Sequence, residues 1–104
     1  NIAVYYKKNS ANVLGQTYMK RTGEYSVVCA ILNMWLTARA LNIGMGWVSI
    51  LKPKKINKIF DIDKNEYKLI AYLCFGYTKE FYNEPELKKL KWNNKRKLKD
   101  CIFN

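Results

Sequence analysis

An α/β or α+β chain is what this sequence predicts, and three observations carry it. A run of β-formers, Ile2–Tyr6, opens the chain. A long apolar segment, Tyr25–Asn42, repeats its large side chains at helical spacing. A second apolar run, Tyr67–Tyr77, is the strongest strand signal. The order is strand, loop, helix, strand, helix, strand, helix and tail, within the 104 residues of one small domain.

Ile2–Tyr6 reads as a central strand. Lys7–Gly23 is polar and mixed, with Asn9, Ser10, Asn12 and Gly15. Connections of that length are usually functional or covered by a partner. In Tyr25–Asn42, Val28, Ile31, Leu32, Trp35 and Leu36 recur on helical spacing, while Cys29, Ala30, Ala38 and Ala40 fill much of the rest. Arg39 is the only charged side chain in that span. A helix apolar nearly all round packs on several sides, so most of these residues are expected in a core. In a chain this small, the pattern also predicts a large partner surface. Asn42 and Gly44 are the expected stop signals.

Gly46–Leu51, GWVSIL, reads as a short strand ending near Ser49. Glycines at 44 and 46 permit close backbone approach by a neighbour or ligand. Pro53 starts a helix over Pro53–Phe60, in the first turn where proline is tolerated, with Ile56, Ile59 and Phe60 on one face. Asp61–Glu66 is a charged turn. The continuous apolar run of Tyr67–Tyr77 suits a strand covered on both faces. Glu84–Trp92 is expected as a short helix with Leu87 and Leu90 inward, and Asn93–Asn104 as a basic tail closing on Ile102 and Phe103. Three strands cover so apolar a helix poorly, so the expectation is of a partial domain. Opening on Asn1 points the same way.

The formal net charge is +11, from 19 Lys and Arg against 8 Asp and Glu. That excess favours phosphates, polyanions or acidic surfaces, or simply a solvated lysine-rich exterior. It is not a single block: residues 1–51 carry 5 basic and 1 acidic side chains, and residues 52–104 carry 14 and 7. There is no histidine, which excludes Ser–His and Cys–His nucleophile pairs and His-containing zinc sites. The three cysteines, Cys29, Cys74 and Cys101, lie far apart. An odd count with no C-x-x-C spacing predicts reduced thiols and a cytoplasmic setting, with Cys29 and Cys74 as buried small hydrophobes. Arg39 interrupts the longest apolar stretch, and no membrane partner is expected.

Four stretches together resemble the C-terminal half of the nitroreductase-like flavoprotein fold: YSVVCAILNMWLTARALNIGMGWVSIL at 25–51, AYLCFGY at 71–77, EPELKKLKWNNKRKL at 84–98, and NIAVYY with VLGQTYM at 13–19. The fold class implied is α+β, a mixed sheet flanked by helices, with the N-terminal half missing and residues 1–104 forming a partial domain whose basic tail is 93–104. The GWVS element and the tail with Trp92 are similar to the branch of that family that consumes its own reduced flavin.

The resemblance implies FMN held at a homodimer interface, with reduced FMN as substrate rather than recycled cofactor. A separate flavin reductase would supply it, and dioxygen would be the co-substrate. The reaction implied is cleavage of reduced FMN to 5,6-dimethylbenzimidazole for cobalamin biosynthesis. Gly46, Trp47, Val48, Ser49 and Ile50 match the strand beside the flavin ring. Ser49 matches the position near flavin N5, and would orient dioxygen there as the one catalytic candidate. Taken alone, Ser49 is an ordinary strand-end serine. Lys95 and Arg96 match the basic tail that contacts the FMN phosphate; a guanidinium can grip phosphate with two parallel hydrogen bonds. Taken alone, they are a solvated tail.

The departures are specific. Leu32 stands where the family usually has Gln, Tyr18 where a His is common, and Gly23-Glu24-Tyr25-Ser26 where Asp-Leu-Tyr-Ser is usual. The family's Arg-Arg-Asp motif for flavin phosphate is absent; the arginines are Arg21, Arg39 and Arg96. The chain alone is therefore expected to bind FMN poorly and not to turn over. Two other readings stay open: part of a general FMN-dependent nitroreductase, and a small basic module for nucleic acid with Tyr and Trp interleaved among Lys. No metal is expected, and the leading reading has no nucleic-acid partner.

Overall fold

A computed structural model describes residues 1–10 and 18–102. Its elements are β1 (Ile2–Lys7), α1 (Thr22–Ala40), β2 (Ile43–Val48), α2 (Pro53–Ile59), β3 (Tyr67–Tyr77), α3 (Glu86–Lys89) and a 3-10 turn at Leu98–Asp100. The α+β class is as expected. Residues 11–17, part of the expected long connection and including 13–17 of the VLGQTYM stretch, and residues 103–104 lie outside the described residues.

The sheet order is β1-β3-β2, and both pairings are antiparallel. β1 and β2 therefore run parallel to each other with β3 between them, and α1 makes the crossover, a split β-α-β unit. The sequence reading put β1 in the centre. Among the described strands β3 holds that place, and its eleven residues are long enough to pair along both sides. β1 sits at the edge of the three.

One irregularity shapes the sheet. Val4 pairs with Ala71 but Tyr5 pairs with Leu69, so Ile70 is an extra residue in β3. Such a bulge reverses the in-out alternation of the strand beyond it. It turns Lys68 toward α1, where its ammonium meets the Glu24 carboxylate at 2.6 Å.

α1 lies on one face of this sheet. The core is small: Ile31 and Ala38 of α1 pack with Met45, Ala71 and Leu73, flanked by Val4, Val27, Ile43, Ile70 and Phe75. The core expected for the rest of α1 does not form within this chain. Val28, Leu32, Trp35 and Leu36 are 40%, 56%, 39% and 62% exposed, and Tyr25 is 52% exposed. These side chains share a stripe at three- and four-residue spacing, rotated about a quarter-turn from the sheet-facing line of Ile31 and Ala38. Cys29 lies on this stripe and is exposed, not buried; Cys74 is half-buried. A three-stranded sheet covers only one side of a helix.

The surface reflects this. The chain exposes 9519 Å², where a folded monomer of its 12.3 kDa mass exposes roughly 6,100 Å². The radius of gyration is 17.0 Å, against about 13 Å for a compact domain of this length.

Helix ends are set by backbone caps. Asn42 takes the left-handed conformation that stops α1, at φ 57°, and Gly44 instead falls inside β2. Asp61 (φ 51°) closes α2 in the same way: Ile62 N–H donates to the Asn57 carbonyl at 2.9 Å and Asp61 N–H to Lys58 at 3.4 Å. Lys91 (φ 57°) does so after α3, with Trp92 N–H donating to Leu87 at 2.8 Å and Lys91 N–H to Lys88 at 3.0 Å. α3 is shorter than the expected Glu84–Trp92, and Leu87 and Leu90 are exposed rather than inward. Of the expected apolar face of α2 only Ile56 is half-buried; Ile59 and Phe60 face outward. No helix among the described residues is long and apolar enough to cross a membrane.

Candidate functional site

β2 is six residues of a strand with two glycines, and it carries most of the candidate residues. Register fixes which of them share a face. Gly44 pairs with Gly76, Gly46 with Cys74 and Val48 with Tyr72. Partners across a ladder share a face, so these six lie opposite the face that α1 covers. The result is a flat strip with almost no side chain in its middle. A Cβ built at Gly46 or Gly76 meets nothing within 4 Å. At Gly44 the same atom lies 2.5 Å from Thr78 Cγ2 and 3.2 Å from the Gly76 carbonyl. Gly44 is thus glycine for packing within the chain, and Gly46 is glycine beside open space.

Two depressions run along this strand. One, of about 360 Å³, lies over Gly44, Gly46, Cys74 and Gly76. The other, of about 220 Å³, lies at the C-terminal end of β2 and is lined by Trp47, Val48, Ser49, Leu51, Pro53 and Tyr72 among others. The expected strand over Gly46–Leu51 is displaced by three residues: the ladder ends at Val48, and Ser49 and Ile50 lie just beyond it. The cause is local. Leu51 N–H donates to the Ser49 carbonyl at 2.9 Å, a tight turn that leads the chain out of the sheet before Pro53.

Ser49 and Ile50 are exposed at that turn, and Trp47 is 38% exposed. Among the described residues the Ser49 hydroxyl and the Ile50 N–H have no hydrogen-bond partner. An unengaged hydroxyl and amide at a strand end can donate to an electron-rich atom of a ligand lying on the sheet. The two depressions fit one wall of a site for a planar aromatic ring. Drug-sized ligands generally sit in clefts of about 300–1,000 Å³ that bury most of their surface. An open strip covers one side only, so the residues present fit FMN as a platform and not as a closed pocket.

The tail residues are elsewhere. Lys95 and Arg96 are exposed in the extended segment between α3 and the 3-10 turn. Lys95 lines a depression with Pro85, Leu87, Lys88, Asn93 and Asn94, not the one holding Ser49. The segment leading to α3 is fastened to α1: the Arg39 guanidinium stacks 3.7 Å from the Phe81 ring centroid, and its Nη1 donates to Asn42 Oδ1 at 3.4 Å. Lys89 lies 3.6 Å above the Tyr82 ring. Among the described residues no group of His, Cys, Asp or Glu could hold a metal ion.

Sequence reasoning passed over the cluster around α2. Tyr5 OH donates to Asn57 Oδ1 at 3.3 Å, tying α2 to β1. Burial pushes the Tyr5 phenol above its ordinary pKa. The signal that could have found the cluster is the spacing of Lys54 and Lys58, which puts both on one side of a helix.

Comparison with known proteins places these elements. Residues 2–77 match the Nitroreductase family, a span from β1 through β3 that includes Ser49 and stops short of Lys95 and Arg96. A 5,6-dimethylbenzimidazole synthase of Rhodospirillum rubrum is 45% identical over 83 residues, covering 80% of this chain and 39% of that protein. A 5,6-dimethylbenzimidazole synthase of Rhodobacter capsulatus is 32% identical over 93 residues, covering 88% of this chain and 44% of that protein. The chain thus spans about two fifths of the length of these curated relatives.

Proposed function

The chain belongs to the nitroreductase family, and from that premise we propose that it acts as part of a 5,6-dimethylbenzimidazole synthase. The reaction is the dioxygen-dependent cleavage of reduced FMN, with the benzimidazole destined for cobalamin. The observation that carries the reading is the open glycine strip of β2 and β3 beside an unengaged Ser49, together with 45% identity to a synthase over 80% of the chain.

FMN supplies the redox chemistry and, in this reaction, the carbon skeleton of the product. The chain's own residues do the rest. Gly46 lets the flat ring approach the backbone, since a side chain there would hold it off. Val48 supplies apolar contact on the same face as the strip, while Trp47, paired with the core residue Leu73, has its side chain on the α1 side of the sheet. The Ser49 hydroxyl and the Ile50 N–H donate hydrogen bonds toward the electron-rich centre of the ring and toward dioxygen beside it. Lys95 and Arg96 are candidates for the phosphate.

The second half of the site comes from another surface. The exposed stripe of Tyr25, Val28, Leu32, Trp35 and Leu36 is where a second copy docks, α1 against α1. The excess exposed area over a compact monomer, about 3,400 Å² per chain by the scaling above, is more than the roughly 1,000–2,500 Å² that each partner of an obligate interface covers, enough for this contact and for further covering surface besides.

Ser49→Ala in a protein carrying this segment tests the catalytic role. Single-turnover oxidation of reduced FMN, with product analysis, is expected to show dimethylbenzimidazole formation lowered by about 10²-fold, the usual size for one oriented donor. Flavin binding is expected to stay within about threefold, well under the effect on turnover. Unchanged product formation would remove Ser49 from the chemistry. Nicotinamide-driven nitro reduction without loss of flavin would point to a general nitroreductase instead.

A further inference from the structure

We infer that the hydrogen bond between Tyr5 and Asn57 positions Ser49: by fastening α2 to β1, it sets where the turn after β2 holds the Ser49 hydroxyl. The inference rests on the flavin reading above and deepens it, adding two positioning residues to that site.

The sheet brings Tyr5 to the face of the candidate site. Val4 pairs with Ala71 and packs against the core on the α1 side. Tyr5 is the next residue of the strand, so its side chain points to the opposite face, the one that carries the glycine strip. Its ladder partner Leu69, beyond the Ile70 bulge, shares that face. Leu69 lines the depression at Ser49, as do Leu51 and Pro53. From this side the Tyr5 hydroxyl donates to Asn57 Oδ1 at 3.3 Å, across 52 positions of sequence. Burial raises the phenol above its ordinary pKa, which keeps the donor protonated through the neutral range.

The Ser49 turn has two supports. Val48, paired with Tyr72, is the last rung of β2, and α2 begins at Pro53. The short link between them is closed by the Leu51 N–H bond to the Ser49 carbonyl. A shift of α2 therefore passes directly to Ser49. Packing seats α2 weakly: none of its residues is buried, and only Ile56 and Asn57 are half-buried. The apolar contact of Ile56 is non-directional, whereas a hydrogen bond selects one orientation of donor and acceptor. Pro53 and Asn57 stand four residues apart on one side of the helix. The bond thus holds the row of side chains that begins beside Ser49.

The test is turnover of reduced FMN to dimethylbenzimidazole in a protein carrying this segment, with Leu51 amide exchange in the 104-residue chain as a second readout. Tyr5→Phe removes the donor and keeps the ring; Asn57→Leu removes the acceptor. Each is expected to lower kcat about fivefold, the rate equivalent of one neutral hydrogen bond, with KM for reduced FMN within about twofold. Asn57→Asp still accepts from the phenol and should keep kcat within about twofold of wild type. In the Ser49→Ala background, Tyr5→Phe should cost less than about twofold further, because the pair acts through that hydroxyl. Leu51 should exchange about fivefold faster in Tyr5→Phe as the turn loosens. Wild-type kcat in Tyr5→Phe and Asn57→Leu, alongside a fall in Ser49→Ala, overturns the inference and keeps the flavin reading. So does a loss in Tyr5→Phe that is undiminished in the Ser49→Ala background, or a raised KM with kcat unchanged. Unchanged Leu51 exchange overturns the link between the pair and the turn. Full product formation by Ser49→Ala overturns the inference and the role of Ser49 together.

Discussion

Gly44 and Gly46 sit two residues apart on one face of one strand, yet alanine should have opposite effects at them. At Gly44 the new methyl starts 2.5 Å from Thr78 Cγ2 and 3.2 Å from the Gly76 carbonyl. Carbon atoms at rest stand about 3.5–4.0 Å apart, so the Thr78 methyl must turn or move aside by roughly 1 Å, and the carbonyl must give by a few tenths of an ångström. The carbonyl belongs to the facing residue of the ladder and cannot swing away without breaking it. Forcing a methylene into packed surroundings costs about 1–3 kcal/mol. In a domain of this size each kcal/mol is worth about 4–8 °C in Tm. At Gly46 nothing lies within 4 Å of the added carbon, and the loss of unfolded-state freedom favours alanine by about 0.4–1 kcal/mol. The two variants should therefore differ by about 1.5–4 kcal/mol. Urea unfolding followed by far-UV circular dichroism measures this, with equal m-values as the check that both unfold the same structure. Flavin affinity should run the other way, because the Gly46→Ala methyl stands where the ring would lie. If Gly46→Ala proves as destabilising as Gly44→Ala, or binds flavin as well as the wild type, the assignment of one glycine to packing and the other to ligand approach is wrong.

Three further outcomes are expected. Lys91→Gly relieves a left-handed, non-glycine cap and should stabilise the chain by about 1 kcal/mol, read from the urea midpoint. Leu32→Glu places a charge in the exposed α1 stripe; sedimentation velocity should show a dimer-to-monomer shift with little change in helicity, and an unaltered dimer would move the interface elsewhere. The Tyr5 phenol has its pKa raised in the folded state, so the fold binds its proton more tightly than the unfolded chain does. Its contribution is complete below about pH 10 and is lost as pH rises from there through the folded value. Tyr5→Phe should flatten that alkaline loss relative to wild type, and parallel pH profiles would show that the Tyr5 environment is not the one described.

Much of the layout was legible in residue order. The bounds of α2 and β3 follow from Pro53 and from the apolar run ending at Tyr77, because both signals are local. The identity of the central strand was not legible, since Ile2–Tyr6 and Tyr67–Tyr77 are both rich in β-formers and only pairing decides between them. The burial of α1 was misjudged for a related reason. Periodicity says which side chains want to leave water, not whether this chain has the surface to take them. Ile31 and Leu32 are adjacent, equally apolar and opposite in fate, at 1% and 56% exposure. At the site, Gly46 lies within β2 and Ser49 just past its end, three residues out of step with the strand expected over Gly46–Leu51. The Ile70 bulge and the tight turn after Ser49 depend on the register of the partner strand and carry no marker in composition.

The insertion of β3 between β1 and β2 also sets a schedule for assembly. During synthesis β1 and β2 both emerge before β3, and at the spacing they finally keep they do not pair with each other. Both must wait, with α1 already formed between them, until the last strand arrives to zip down its two flanks. The sheet therefore appears in one late, cooperative step from sequence-distant pairings, the kind of topology that folds slowly. In the interval Ile31 and Val28 alike are open to whatever apolar surface is nearest, and a chaperone or a sister chain on the same message would meet them before the core does.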